Sequence, residues 1–267
     1  MNSITNSTSK SDRLIAPEIL DDAFYHAIMG LAQYEDLTSV LEIGSSAGGG
    51  STNAFVRGLM LNKTRPTLYC MEVSHARFLE LQRKYKDLDF IKCYNVSSVS
   101  SSRVASESEI RKFYHSQKTA LNKYKLSVVL GWREEGLRYL TGHPDLDQDG
   151  ILTIKGDNNI KSFDLVLIDG SEFTGMAELN DIHGAKIICL DDINAFKCHA
   201  VRQQLLNDPA YELLAENQRL RNGFSIFYRV DAACNLRAIK AVLEAIKLRA
   251  DTRKLSWQRV VRSIWRV

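Results

Sequence analysis

No stretch of this chain reaches the ~18 consecutive apolar residues that a membrane-crossing helix requires. Charge of one sign is missing too: 35 basic against 32 acidic side chains leave +3, too little to argue for nucleic acid as a partner of the whole molecule. The five cysteines, Cys70, Cys93, Cys189, Cys198 and Cys234, form no C-x-x-C pair. Most sit in or beside apolar runs, which reads as buried reduced thiols in a cytoplasmic protein. Residues 1–10 are polar and hold no apolar core segment, so they are not a signal peptide; to residue 15 they read as a disordered lead-in. What remains is an ordinary chain of 267 residues, 45% apolar and 25% charged, ample for one sizeable core.

The most informative stretch is Ser39-Val-Leu-Glu-Ile-Gly-Ser-Ser-Ala-Gly-Gly-Gly-Ser-Thr52. A short apolar run carries one carboxylate, Glu42, and enters a turn holding Gly44, Gly48, Gly49 and Gly50. Ser51 and Thr52 are suited to cap the helix that follows. Strand, glycine turn and helix N-terminus make a nucleotide-cofactor cradle, because glycines admit close approach and free N–H groups face the ligand. A tight strand-to-helix turn needing positive φ would leave the same trace. Glu42 separates the possible cofactors. A carboxylate at the strand end would repel a dinucleotide pyrophosphate, whereas a cofactor with a positive amino-acid end would welcome it.

Further along, residues 16–34 have helical spacing, with Pro17 in the first turn and Ile19, Leu20, Phe24, Ile28 and Leu31 on one face, and would cover the pocket. Residues 66–74 form a second strand ending in Glu72, which lies 22 residues past Gly50, where an acid accepts ribose hydroxyls in doubly wound folds. A helix over 75–85 follows. Two stretches, 89–96 and 126–130, compete for the third strand; a helix is expected over 107–124 and another over 131–140. Ser97–Ser102 reads as a loop, and Trp132 as a core or lid residue rather than an adenine stack. Asp145, Asp147, Asp149 and Gly150 match the start of a calcium loop, but its twelfth position is Gly156 where a bidentate Glu is needed. An acidic surface turn is the better reading, followed by a strand over 151–154.

Phe163–Ile168 is a buried parallel strand that delivers Asp169 to its carboxyl end, the edge where open α/β sheets bind ligands. After a helix over 176–181, residues 185–190 form the next strand and end in Asp191-Asp192-Ile-Asn194. Carboxylates so grouped repel one another unless a cation is shared, and an all-oxygen set suits Mg²⁺, Mn²⁺ or Ca²⁺. Capping of the next helix by Asp192 is the alternative. Residues 211–215 and 223–229 close the sheet as two strands. From Asp231 the tail carries nine basic against three acidic residues, leaving net −3 on the rest. Its helical faces are Leu236, Ile239, Val242 and Ile246, then Trp257, Val260, Val261, Ile264 and Trp265. Packing on the domain or in a homodimer is the plainer reading, peripheral contact with an acidic membrane the other.

The pattern Glu42-Ile-Gly44 with its small-residue turn resembles motif I of class I S-adenosylmethionine-dependent methyltransferases, although Gly44-x-x-x-Gly48-Gly-Gly50 departs from the commoner spacing. Ile168-Asp-Gly-Ser-Glu172 with Leu190-Asp-Asp192 is similar to the metal-dependent O-methyltransferases of catechol and sugar type. The resemblance covers roughly residues 37–230. It implies a Rossmann-like class I methyltransferase fold: a mostly parallel seven-stranded sheet with a C-terminal antiparallel hairpin. The corresponding division is a lead-in over 1–15, a methyltransferase domain over 16–230 and a basic helical extension over 231–267. It also implies S-adenosylmethionine held by Glu42, Gly44, Ser45, Ser46, Gly48, Gly49, Glu72 and Asp169, and a divalent cation such as Mg²⁺ held by Asp169, Asp191 and Asp192. The acceptor would be a small hydroxylated molecule such as a sugar. The family's Lys or His base stands three residues after the first Asp; here that position is Glu172, with Lys197 and His199 as other proton acceptors. That change and the altered glycine spacing sustain a second hypothesis, a non-catalytic domain binding a nucleotide-like ligand or a partner. An NAD-dependent oxidoreductase is disfavoured by Glu42 and the closing hairpin.

Overall fold

The computed structural model describes residues 12–249. Seven strands form one sheet in the order β3-β2-β1-β4-β5-β7-β6. They are β1 (Ser39–Ile43), β2 (Thr67–Met71), β3 (Ile91–Tyr94), β4 (Leu165–Ile168), β5 (Ile187–Asp191), β6 (Tyr211–Asn217) and β7 (Phe224–Arg229). The first five run parallel, β7 runs antiparallel to β5, and β6 pairs antiparallel with β7. This is the mostly parallel sheet with a closing hairpin that the sequence resemblance implies. Strands β1, β4 and β5 are buried along their whole length, which is why they read as nearly unbroken apolar runs.

Side chains alternate between two cores. Val40, Leu68, Leu165, Leu167, Ile187 and Ile226 face α1 (Ala23–Tyr34), α2 (Ser51–Leu59) and the C-terminal helix α9 (Leu236–Arg249). Leu41, Ile43, Val166, Ile168, Ile188 and Leu190 face α6 (Gly150–Asp157), α7 (Gly175–Ile182) and α8 (Phe196–Asn207). The remaining helices are α3 (His75–Tyr85), α4 (Glu107–Ser116) and α5 (Leu126–Gly142). A third, smaller cluster joins α4 and α5 to the segment after β4 through Ile110, Leu121, Val129 and Phe173.

Several expected elements differ. Helix α1 begins at Ala23, not residue 16, because Asp22 caps it by accepting from Tyr25 N. The third strand is Ile91–Tyr94, and residues 126–130 open α5, where Val129 and Leu130 join the apolar cluster of α4 rather than the sheet and Val128 is exposed. Residues 151–154 are helical: Ile151 and Ile154 are buried three apart while Leu152 faces solvent. The helix expected over 107–124 stops at Ser116 and leaves one 3₁₀ turn at Ala120–Lys123. In the acidic turn, Asp147 accepts from Ser101 N and Oγ, and Asp149 from Ser100 N and Arg103, so both pin the 97–103 loop.

Residues 12–15, placed in the lead-in by sequence, contact the fold: Asp12 accepts from Ser74 Oγ and Tyr139 Oη, and the Arg13 carbonyl accepts from Arg77 Nε. Helix α9 packs on α1 through Ala238, Val242, Ala245 and Ile246, whereas Leu236 is exposed. A Cβ on Gly30 would come within 2.7 Å of Ala241 Cβ, so the glycine sets the closeness of that helix pair. The second apolar face of the tail, Trp257 to Trp265, lies outside the described residues. Among the described residues no helix is long and apolar enough to cross a membrane.

Candidate active site

The glycine turn leaves β1 at Gly44, whose φ is +89°. A Cβ there would lie 2.2 Å from the Asp169 carbonyl, so glycine is required both by conformation and by the neighbouring strand end. Gly44 N and Ser45 N both donate to the Met71 carbonyl, which binds the turn to the end of β2. Gly49 and Gly50 lie beneath Pro17 and Ile19, and this packing of the 15–19 segment is the physical content of the unusual glycine spacing. Gly48 faces Leu81 and Tyr85 of α3, and its carbonyl accepts from Tyr85 Oη at 2.6 Å and Lys84 Nζ at 2.8 Å.

Glu42 lies under this turn, completely buried. Its two carboxylate oxygens accept from Ser51 Oγ at 2.6 Å and Thr52 Oγ1 at 2.7 Å. Burial pushes its pKa up against those hydroxyl bonds. The expected contact with a positive cofactor end is therefore replaced by an internal one: Glu42 is absent from the cleft wall and fastens the start of α2 to β1. Correspondingly, Ser51 and Thr52 do not cap α2; its N-cap is Gly50, with no side-chain bond.

A cleft of about 380 Å³ opens at the carboxyl ends of β1, β2 and β4, beneath residues 15–19. That volume lies in the range of small-molecule sites. Its wall includes Gly44, Ser45, Ser46, Gly49, Glu72 and Asp169, but neither Glu42 nor Gly48. Glu72 is 5% exposed. One of its oxygens accepts from Ser46 N and the other from Ser74 N, each at 2.8 Å. Burial raises its pKa, opposed by the Arg77 guanidinium and these N–H groups. Each oxygen keeps a lone pair, so the carboxylate fits a diol presented from the cleft.

Asp169, Asp191 and Asp192 converge as expected, with one oxygen of each within 4.8 Å of the others. Asp192 adopts φ +56°, a left-handed conformation that Asp tolerates better than most residues. Cations from the chain itself already occupy this cluster. Lys197 Nζ, on a residue only 5% exposed, lies 2.6 Å from Asp169 Oδ1 and 2.8 Å from Asp192 Oδ2. Arg221, in the β6–β7 turn, donates to Asp191 Oδ1 at 2.8 Å and also pairs with Asp22. Asn222 Nδ2 donates to Asp192 at 2.9 Å. Burial raises Asp169 to about 6 despite Lys197. Burial and the neighbouring carboxylates likewise push Asp191 well up. For Asp192, Lys197 and Asn222 outweigh burial and lower its pKa. Burial disfavours the Lys197 ammonium, but Asp169 and Asp192 hold it charged far above the ordinary lysine value. The three oxygens are the right donors for a hard divalent ion, yet as arranged they do not fit one, because an ammonium bridges two of them.

Other expected participants stand aside. Glu172 accepts from Phe196 N at 2.7 Å at the start of α8 and is not part of the cleft wall. Burial lifts its pKa to about 7. Asn194 donates to the Gln218 carbonyl, His199 packs against the Phe113 ring, and Trp132 packs edge-on against Tyr124 on the outer side of α5.

Among solved structures, the chain is similar to a putative caffeoyl-CoA O-methyltransferase from Staphylococcus aureus, at 11% identity over 79% of this chain and 85% of that one, with a TM-score of 0.49. It is similar to a cofactor-bound protein from MTB at 15% identity, covering 83% and 85%, with a TM-score of 0.48. It is also similar to an O-methyltransferase from Bacillus cereus in complex with SAH, at 12% identity, covering 81% and 84%, with a TM-score of 0.46. No protein-family model and no curated protein matches the sequence.

Proposed function

We propose that this chain is an S-adenosylmethionine-dependent methyltransferase that methylates a hydroxyl of a small acceptor, with sugars the leading class. The observation that carries this reading is Glu72, a nearly buried carboxylate fixed by two backbone N–H groups at the cleft wall beside the glycine turn. Ribose hydroxyls are the natural donors for such a group at the end of a second strand. When bound, S-adenosylmethionine supplies an electrophilic methyl group on its sulfonium. Ser45, Ser46 and Gly49 line the cleft along the turn and would hold the amino-acid side of that ligand. Alignment of an acceptor oxygen against that methyl would provide much of the rate. Asp169 is the carboxylate of the cleft wall suited to receive the hydroxyl proton, since its pKa of about 6 is close to the working range of a general base. The sequence resemblance argues for metal assistance and for Glu172 as base; the bridging by Lys197 and the engagement of Glu172 with Phe196 N count against both.

The test is calorimetric titration with S-adenosylhomocysteine, comparing wild type with Glu72→Ala. The expected outcome is saturable binding that the substitution abolishes. Absence of heat from demonstrably folded wild type refutes the reading. A second reading, a ligand-binding domain without catalysis, is favoured by one observation: among the described residues the cleft wall holds no histidine, and its lysine is tied to two carboxylates. Binding of S-adenosylhomocysteine without methyl transfer to any of a broad panel of hydroxylated acceptors would select it.

A further inference from the structure

Three carboxylates brought to one point by two adjacent strand ends need positive charge to remain ionised there. In the metal-dependent O-methyltransferases that the sequence resembles, a divalent ion is what the resemblance implies for that charge. Here the Lys197 ammonium contacts two of the three carboxylates and the Arg221 guanidinium takes the third. We infer that Lys197 is the resident cation of this site, standing in for a divalent metal.

The lysine is held in that role by its backbone. Glu172 accepts from Phe196 N, which fixes the first residue of α8 one position before Lys197. The Lys197 carbonyl lies 1.9 Å from where a Cβ on Gly175 would stand, so α8 presses directly on the start of α7 and has no room to shift. Glu172 thus becomes a positioning residue: the carboxylate at the family's base position anchors the helix that brings the lysine in. A metal ion would have to expel a buried ammonium from two short bonds or accept a like charge beside it. An ammonium carries three donors, and two are used by Asp169 and Asp192. The third is left for an oxygen in the cleft, whose wall includes Lys197. Resting on the methyltransferase reading, that oxygen is the acceptor hydroxyl, met by an ammonium N–H instead of a metal.

The test is Mn²⁺ titration followed by electron paramagnetic resonance, without cofactor, on wild type, Asp192→Asn, Lys197→Ala and Lys197→Ala/Asp192→Asn. Wild type should leave the free Mn²⁺ signal unchanged. Lys197→Ala should bind one ion per chain, and the double variant should lose it. One Mn²⁺ bound by wild type and lost in Asp192→Asn overturns the inference, and this arm stands even if Lys197→Ala does not fold. A folded Lys197→Ala that binds no ion also overturns it, because the carboxylates would then not be a cation site. The methyltransferase reading is tested separately by S-adenosylhomocysteine binding, so either can fail alone.

Discussion

Glu42 gives the sharpest test of what the glycine turn does. A carboxylate paired with the ammonium of a bound cofactor contributes on the order of 2–3 kcal/mol, so its neutralisation would weaken binding about 30- to 150-fold. The structure instead buries Glu42 fully and satisfies it with the hydroxyls of Ser51 and Thr52. Glu42→Ala would remove both hydroxyl–carboxylate bonds, each worth roughly 1.5–3 kcal/mol, for a loss of about 3–6 kcal/mol in stability. That is a large share of the margin of any domain. Glu42→Gln keeps one acceptor oxygen, and its amide can donate to whichever hydroxyl turns around, so the loss should be about 1 kcal/mol. Urea unfolding measures the stability terms, and titration with S-adenosylhomocysteine measures affinity. Glu42→Gln should bind within about threefold of wild type. If it unfolds like wild type yet binds 30-fold or more weakly, the carboxylate reaches the ligand and the internal role assigned here is wrong.

Two other perturbations probe the frame around the site. Burial lifts Glu172 to about 7 from an ordinary value of 4.5, so the folded chain keeps a proton that the unfolded chain releases between those pH values. Stability from this group therefore falls as pH rises through that window and is flat above it. Glu172→Gln should gain on the order of 2–3 kcal/mol on wild type between pH 4 and pH 8 by urea unfolding; a difference independent of pH would contradict the burial of the carboxylate. Val242 is completely buried where α9 meets α1. Val242→Asp places an unpaired charge there and should cost about 3 kcal/mol or more, and an unchanged thermal midpoint would mean that α9 does not dock.

The central sheet was legible because its strands are buried on both faces and end in acids at one edge, so β1, β2, β4 and β5 each announce themselves with Glu42, Glu72, Asp169 and Asp191. Strand β3 was not, because Ile91–Tyr94 is a four-residue edge strand with only partial burial, no stronger as a pattern than the helical 126–130. The direction of Glu42 was available and missed. Period two puts it on the face of Val40, under α2, whose first two residues are hydroxylic. Lys197 was legible as a group near the site, but its pairing with the acidic cluster, and that of Arg221, was not, for another reason. Lys197 stands 28 residues after Asp169 and Arg221 stands 30 after Asp191, so their pairing depends on how α8 and the closing hairpin return to the sheet edge.

That dependence changes what the closing hairpin means. In sequence it served to separate fold types. In the structure its turn, Arg221 and Asn222, reaches back to Asp191 and Asp192, while Arg221 also holds Asp22, the N-cap of α1. Asp22 directly follows the 15–21 stretch whose residues 15–19 cover the cleft. The cover, the acidic edge and the antiparallel hairpin are therefore one hydrogen-bonded unit built on a single guanidinium. A buried ion pair of this kind is weak evidence for stability; what it does here is join three elements through one side chain. On that argument the hairpin acts on a site it does not line: Arg221 engages Asp191 from behind, while Asp169 and Asp192 face the lysine and the cleft.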